Sequence, residues 1–297
     1  MFVGLARVIG RLDEAVGSAA RAGTSHLRVT GDRLHGRITR LESADGAGGR
    51  LLRAGQGEGN LVGADAAGRL RRFRAEDVVN APLLDRNGQV VGVTFPSRRG
   101  DVESKQRWAR ADFRSADIVH YAFWNKNPGA KKPDWAFGRR RDTPWAAESP
   151  GKRPIYVHAH AGSRTFHVNV KTGRWSTTSI EIDGSTYGEL LADNRHLERA
   201  LLSHPDSPFV LLSCSPAEAG GTAAKTMAEY LHTKGALSND IYAARGDVMT
   251  QTSLGGKEKS SLVGVEVDPA VGDATESLWD AFRQSRAAPP PPAGGGT

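Results

Sequence analysis

The chain of 297 residues contains a single cysteine, Cys214. One thiol excludes an internal disulfide and any zinc or iron–sulfur site built from several thiolates, so no metal and no cofactor is expected. Long apolar runs are missing too. No stretch approaches the roughly 18 apolar residues of a membrane-spanning helix. The opening Met1-Phe2-Val3-Gly4-Leu5-Ala6 gives way to Arg7, Arg11 and Asp13 too soon for a signal peptide. The expectation is a soluble protein with no membrane span, cytoplasmic or released by a non-classical route. Apolar residues make up only 38% of the chain and glycines number 35, so part of its length is expected to be loop or tail.

An acidic excess is also absent. The net charge of +7 is regional: between Arg98 and Arg141 stand twelve Lys or Arg against five Asp or Glu, which equals the whole imbalance. Clustering sets the long-range field, so this stretch is a candidate for an anionic ligand if it is more than a solvated basic loop. Trp124, Trp135 and Trp145 lie within or just beyond it and make a nucleic-acid surface a further alternative, although nothing makes nucleic acid obligatory.

Residues 1–70 read as a partly ordered appendage. Leu5, Val8, Ile9, Leu12 and Val16 share a helical face, Leu27 and Val29 suggest a short strand, and the glycines from Gly55 to Gly63 leave no room for a long periodic element. Residues 71–283 read as an α/β domain with its most legible core at 150–268, and 284–297 as a Pro/Gly tail.

Within the domain, Asp85-Arg86-Asn87-Gly88 signals a turn before the strand Gln89 to Phe95. Further strands are expected at Asp117 to Phe123, Ile155 to Ala159, Phe166 to Val170, Ser179 to Ile182, Pro208 to Cys214, Asp240 to Ala244 and Leu262 to Val267. Helices are expected over Thr186 to Leu202 and Thr222 to Thr233, with a short one around Leu278, Trp279 and Phe282. Strands alternating with helices predict an open, mainly parallel sheet flanked by helices, with a β-hairpin inserted after the strand that begins at Ile155.

Two strand ends carry reactive groups: His160 and Cys214. On neighbouring parallel strands, about 4.8 Å apart, their side chains come within reach of each other. An imidazole beside a thiol suits nucleophilic attack on a carbonyl. His158 is the alternative base on the same side of its strand. Gly162 offers a backbone N–H as an oxyanion donor beside that of Cys214. The competing reading is a free cysteine buried as a small hydrophobe.

His160-Ala161-Gly162 after a strand, followed by Leu211-Leu212-Ser213-Cys214 with a glycine-bearing loop and a helix, resembles the core of caspase-like (clan CD) cysteine peptidases. It also resembles the lonely-Cys domains of large actinobacterial proteins. That resemblance implies a cysteine endopeptidase acting on a protein or peptide, or on itself, with Cys214 as nucleophile and His160 as base. It places substrate-binding groups at Ser213, Arg245 and Asp247. It also leaves room for a catalytically inactive scaffold of the same fold, because Ser215-Pro216 follows the cysteine and the glycines are delayed to 220 and 221.

Overall fold

The computed structural model describes residues 60–110, 118–174, 176–235, 237–252, 261–273 and 278–284. The helical stripe at Leu5 to Val16, the strand at Leu27 and Val29 and the Pro/Gly tail from 285 lie outside the described residues. The chain divides into two units. One comprises Asn60–Trp124 and Trp135–Thr297, and of the other the described residues are Asn125–Asp134. That segment is a loop closed by its own bonds: Asp134 N–H donates to Asn125 Oδ1 at 2.9 Å, and Lys126 N–H to the Asp134 carbonyl at 2.8 Å.

In chain order the described elements begin with β1 (Asn60–Asp65), β2 (Leu70–Arg74), β3 (Ala81–Leu84), β4 (Val90–Phe95) and helix α1 (Arg99–Arg110). Strands β5 (Ile118–Asn125), β6 (Trp135–Phe137) and β7 (Arg141–Asp142), the short α2 (Pro144–Glu148), and strands β8 (Ile155–Ala161), β9 (Thr165–Lys171) and β10 (Thr177–Asp183) follow. The chain continues through α3 (Gly184–Ala192), α4 (Arg195–Ser203), β11 (Phe209–Leu211), α5 (Ala223–Thr233), β12 (Ile241–Ala244), β13 (Val248–Thr252), β14 (Ser261–Glu266) and β15 (Trp279–Phe282).

Ten strands form one sheet, in the order β15-β12-β11-β8-β9-β10-β1-β2, with β4 paired to β8 and β3 to β4. The expectation of a mainly parallel sheet is overturned. Within this sheet parallel pairing joins only β4, β8, β11 and β12; the other pairs, those of β9, β10, β1, β2, β3 and β15, are antiparallel. The hairpin after β8 is present, but it is no insertion: β8 pairs with β9 through its last residues, His160 opposite His167 and Ala161 opposite Phe166, and so carries the sheet onward into antiparallel strands. The parallel-sheet caspase arrangement, and with it the clan CD identity, is therefore corrected to an open, mostly antiparallel mixed sheet flanked by helices.

Three smaller differences have local causes. The helix expected over Thr186 to Leu202 is two helices, because the Asn194 side chain accepts from the N–H groups of His196 and Leu197 and starts a new helix there. The apolar run at Leu278 to Phe282 is a strand, paired with β12 from Ala244↔Trp279 to Ile241↔Phe282; a short apolar run does not distinguish helix from strand. Strand β1 passes through Gly63, where a Cβ would collide with Ile180 and Glu181 of β10, so that glycine permits close pairing rather than breaking the element.

The sheet has an apolar core on each face. Along β8, Ile155, Val157, Ala159 and Ala161 point toward α3, α4 and α5, where they meet Tyr187, Leu190, Leu197, Met227 and Leu231. Tyr156 points the other way, to a core made with Trp108 of α1, Trp145 of α2 and Val263 and Val265 of β14. Alternation therefore sends His158 and His160 to the α1 side.

In the first core, Tyr187 packs on Phe95 (ring centroids 5.4 Å) and stacks on Phe166 (4.1 Å), and its buried hydroxyl has no hydrogen-bond partner among the described residues. A buried, unpaired hydroxyl costs about 1–3 kcal/mol. Tyr187→Phe is expected to raise unfolding stability by about 1 kcal/mol; a lowered urea midpoint would show that the hydroxyl has a partner.

Candidate functional site

The site is built on the α1 face of the sheet. Strands β8 and β11 pair in parallel in the register Val157↔Leu211, and Leu212 N–H continues the ladder to the Val157 carbonyl at 2.8 Å. His160 and Cys214 each follow their register partner by three residues, so the two expected groups stand at matching positions, His160 near the end of β8 and Cys214 just past the end of β11. Ser213, between ladder and thiol, is buried, and its Oγ accepts from Ala159 N–H at 3.4 Å. It fastens the turn to β8.

Helix α1 supplies what sequence reasoning missed. Asp101, Lys105 and Trp108 are spaced for one helical face. Trp108 packs edge-on to Tyr156 at 5.9 Å, while Asp101 Oδ2 lies 3.1 Å from His160 Nε2. The helix therefore runs opposite to β8, setting Asp101 against His160 and Trp108 against Tyr156. Lys105, between them, is half-buried and donates through Nζ to Thr250 Oγ1 of β13 at 3.1 Å. The only sequence signal for this face was its spacing, since the helix carries too few apolar residues to show a stripe.

Asp101 is 9% exposed and receives many donors. Ser97 N–H and Oγ–H reach Oδ2 at 2.9 Å, Arg98 N–H reaches the same oxygen at 3.1 Å, and Arg98 Nε donates to Oδ1 at 3.3 Å. Burial alone would push its carboxyl up. The His160 hydrogen bond and charge, with the Ser97 and Arg98 donors, outweigh burial and hold it well below the usual carboxylate range. An ionised carboxylate only accepts, so His160 donates through Nε2 and leaves Nδ1 as the nitrogen able to take a proton.

His158 differs. Its Nδ1 contacts Thr94 Oγ1 at 2.9 Å, its ring lies 5.5 Å from that of His160, and burial, with Lys105 nearby, pushes its pKa well below the ordinary value. His167, across the hairpin from His160, is likewise pushed down to about 4, first by burial and then by the His160 charge. Among the described residues no group of three His, Cys, Asp or Glu side chains could hold a metal ion.

Cys214 is half-buried. Burial, reinforced by Asp247 and Glu266, pushes its thiol up to about 12; the Val248 N–H and the Lys105 charge act in the opposite direction. No hydrogen bond joins the thiol to either histidine among the described residues. At neutral pH the resting thiol therefore keeps its proton.

The residue after it, Ser215, is the one non-glycine at positive φ (53°) among the described residues. A left-handed serine costs on the order of 1–3 kcal/mol and persists only where its surroundings hold it. Here Ser215 N–H donates to the Gly246 carbonyl at 2.9 Å and its Oγ–H to Asp247 Oδ1 at 2.8 Å. Thus Asp247 braces the turn behind the thiol. Arg245 is paired with Asp280 instead, through Nε at 2.8 Å and Nη2 at 2.7 Å.

Of the backbone donors, Gly162 N–H is already engaged by the Thr165 carbonyl at 2.9 Å, closing the β8–β9 turn. The first N–H groups of α5 are engaged as well: Thr222 and Ala223 donate to the Ser163 carbonyl at 2.8 and 2.9 Å. The Cys214 amide has no acceptor among the described residues.

The basic stretch is divided among several elements and partly neutralised. Arg99 pairs with Glu103 at 3.2 Å, and Arg141 with Asp273 at 3.4 Å. No helix among the described residues is long and apolar enough to cross a membrane. Comparison with protein-family models finds none that matches this chain, and none of the curated proteins or solved structures compared with it matches either.

Proposed function

We propose that the chain is a thiol-dependent hydrolase acting on peptide bonds of a protein or peptide, with Cys214 as nucleophile, His160 as general base and Asp101 as the group that orients the imidazole. The observation that carries this reading is the shared register of β8 and β11, with the Asp101–His160 contact of 3.1 Å behind it. In the first step the thiol proton passes to His160 Nδ1 as sulfur bonds to the carbonyl carbon. The amide C–N bond then breaks and the amine leaves with that proton. Water, giving a proton to the same nitrogen, cleaves the thioester and restores thiol and imidazole. The Cys214 amide is the candidate donor to the oxyanion. Because the resting thiol is protonated, proton transfer accompanies attack and does not precede it.

A peptidyl acyloxymethyl ketone, which alkylates a cysteine with loss of the carboxylate, tests this reading. Incubation at pH 7.5 is expected to add one inhibitor mass at Cys214 in the native chain, and His160→Ala is expected to slow that addition strongly. If native protein stays unmodified while the unfolded chain is alkylated, the reading is wrong. That outcome would favour a non-catalytic interaction domain, a second reading supported by the thiol's high pKa and the lack of a bond between it and His160.

A further inference from the structure

We infer that Lys105 is the cation that stabilises the Cys214 thiolate, making it a functional residue of the site in addition to His160 and Asp101. The inference rests on the reading of Cys214 as the nucleophile and adds the group that offsets its charge.

The placement follows from contacts among α1, β8 and β13. On α1, Lys105 lies between Asp101, which touches His160, and Trp108, which touches Tyr156, so its stem crosses above the middle of β8. From there the next strand is β11, whose end presents Cys214. The ammonium is fixed by Thr250 Oγ1 of β13 at 3.1 Å, and Ser215, next to Cys214, donates its hydroxyl at 2.8 Å to Asp247, the residue just before that strand. Lys105 and the turn that carries Cys214 therefore meet the same short stretch, 247–250, which brings the two within electrostatic range of each other.

The charges facing this pair explain why a cation is needed there. Asp247 and Glu266 both act against ionisation of the sulfur. His158 and His160 occupy the β8 side, and Asp101 is committed to His160. Among these groups Lys105 is the one whose positive charge acts in favour of the thiolate; burial pushes its own pKa down, and the charges of Cys214 and Asp101 act against that. When the thiol proton moves to His160, the developing negative charge on sulfur is met by an ammonium already held in place by Thr250, with little reorganisation. A half-buried ammonium beside a thiol is screened less than one in water, so its removal is felt at the sulfur.

The lone cysteine makes the test direct, because every alkylation of a thiol, located by peptide mapping, reports on Cys214. Iodoacetamide reacts through the thiolate: the C–S bond forms, iodide leaves, and the displaced proton goes to the base or to solvent. The native full-length chain is followed by mass from pH 7.5 to 10, where the rate is expected to rise with pH. Lys105→Met is expected to lower this rate about tenfold at pH 7.5, the equivalent of one pKa unit, and by less toward pH 10, because burial lowers the pKa of Lys105 and its charge is lost as pH rises. Lys105→Arg is expected to stay within about threefold of the parent. In guanidinium chloride all three chains are expected to react alike. Unfolding exposes the thiol and speeds alkylation, so a slower reaction does not arise from a damaged fold.

If Lys105→Met does not reach the parent melting temperature, Lys105→Gln replaces it. A folded Lys105 variant that is alkylated at the parent rate, or faster, overturns the inference. Because the assay needs no substrate, slowed alkylation in a chain that cleaves no peptide would leave the lysine–thiolate pair standing and remove only the peptidase.

Discussion

Cys214→Ala and His160→Ala are each expected to reduce peptide cleavage by about 10³-fold or more, since one removes the nucleophile and the other the base that accepts its proton. Asp101→Asn should fall between these variants and the parent. Asparagine is close to aspartate in shape, but its uncharged amide can present either oxygen or NH2 to His160 Nε2, so the tautomer that leaves Nδ1 basic is no longer enforced. A drop in kcat of about 10²-fold is expected, with KM little changed, because Asp101 orients a reacting group and does not hold substrate.

The same substitution has a distinct stability signature. The folded carboxyl of Asp101 lies below its ordinary range, so the stabilisation it brings is complete above that range and is lost as pH falls through the folded value. Hydrogen bonds to a charged group contribute about 1.5–3 kcal/mol each, so Asp101→Asn should lower stability at pH 7 by an amount of that order. Near pH 3 the difference from the parent should shrink. Kinetics on a fluorogenic peptide library and urea melts at the two pH values check both parts. Equal turnover in the parent and the His160→Ala chain would remove His160 from the mechanism.

The second large effect is on stability. Phe166 is fully buried, pairs across the hairpins with Ala161 and Ile182, and stacks on Tyr187. Phe166→Ala leaves a ring-sized hole where β8, β9 and β10 meet α3, and is expected to cost about 3–5 kcal/mol. At about 2–4 °C per kcal/mol for a domain of this size, melting should fall by at least about 6 °C. Leu202, 76% exposed at the edge of α4, provides the contrast: Leu202→Ala should stay within about 0.5 kcal/mol of the parent. Calorimetry distinguishes the two.

Much of this architecture was legible residue by residue. The turn at Asp85 to Gly88 forms as expected, with Asp85 Oδ1 accepting from Asn87 and Gln89 N–H, and α5 ends at Thr233 just before Lys234-Gly235. Cys214 does follow a buried strand, while the strand beside it runs one residue past His160, to Ala161, and pairs His160 with His167. The partners of the strands were not legible. Alternation tells which side a residue faces, not which strand lies next to it or in which direction it runs, so the antiparallel half of the sheet was read as an inserted hairpin.

Helix α1 was hidden for a different reason. Its inward face carries Asp101 and Lys105, side chains usually assigned to solvent, and only Trp108 marks it as packed. The residues that complete the site therefore sat inside the stretch read as a basic surface. Gly162, the glycine nearest the histidine, turned out to serve the turn.

The pairing of β1 with β10 also has a consequence in time. Ala64 finds Glu181, and the edge strand β2 hangs on β1, so these early residues wait for more than a hundred later ones before their ladder can close. Contacts so distant in sequence carry the loop-closure cost before any reward, which slows folding. During synthesis the β1–β2 hairpin emerges with one edge unsatisfied. Its four arginines, Arg69, Arg71, Arg72 and Arg74, discourage pairing between nascent copies until the proper partner arrives.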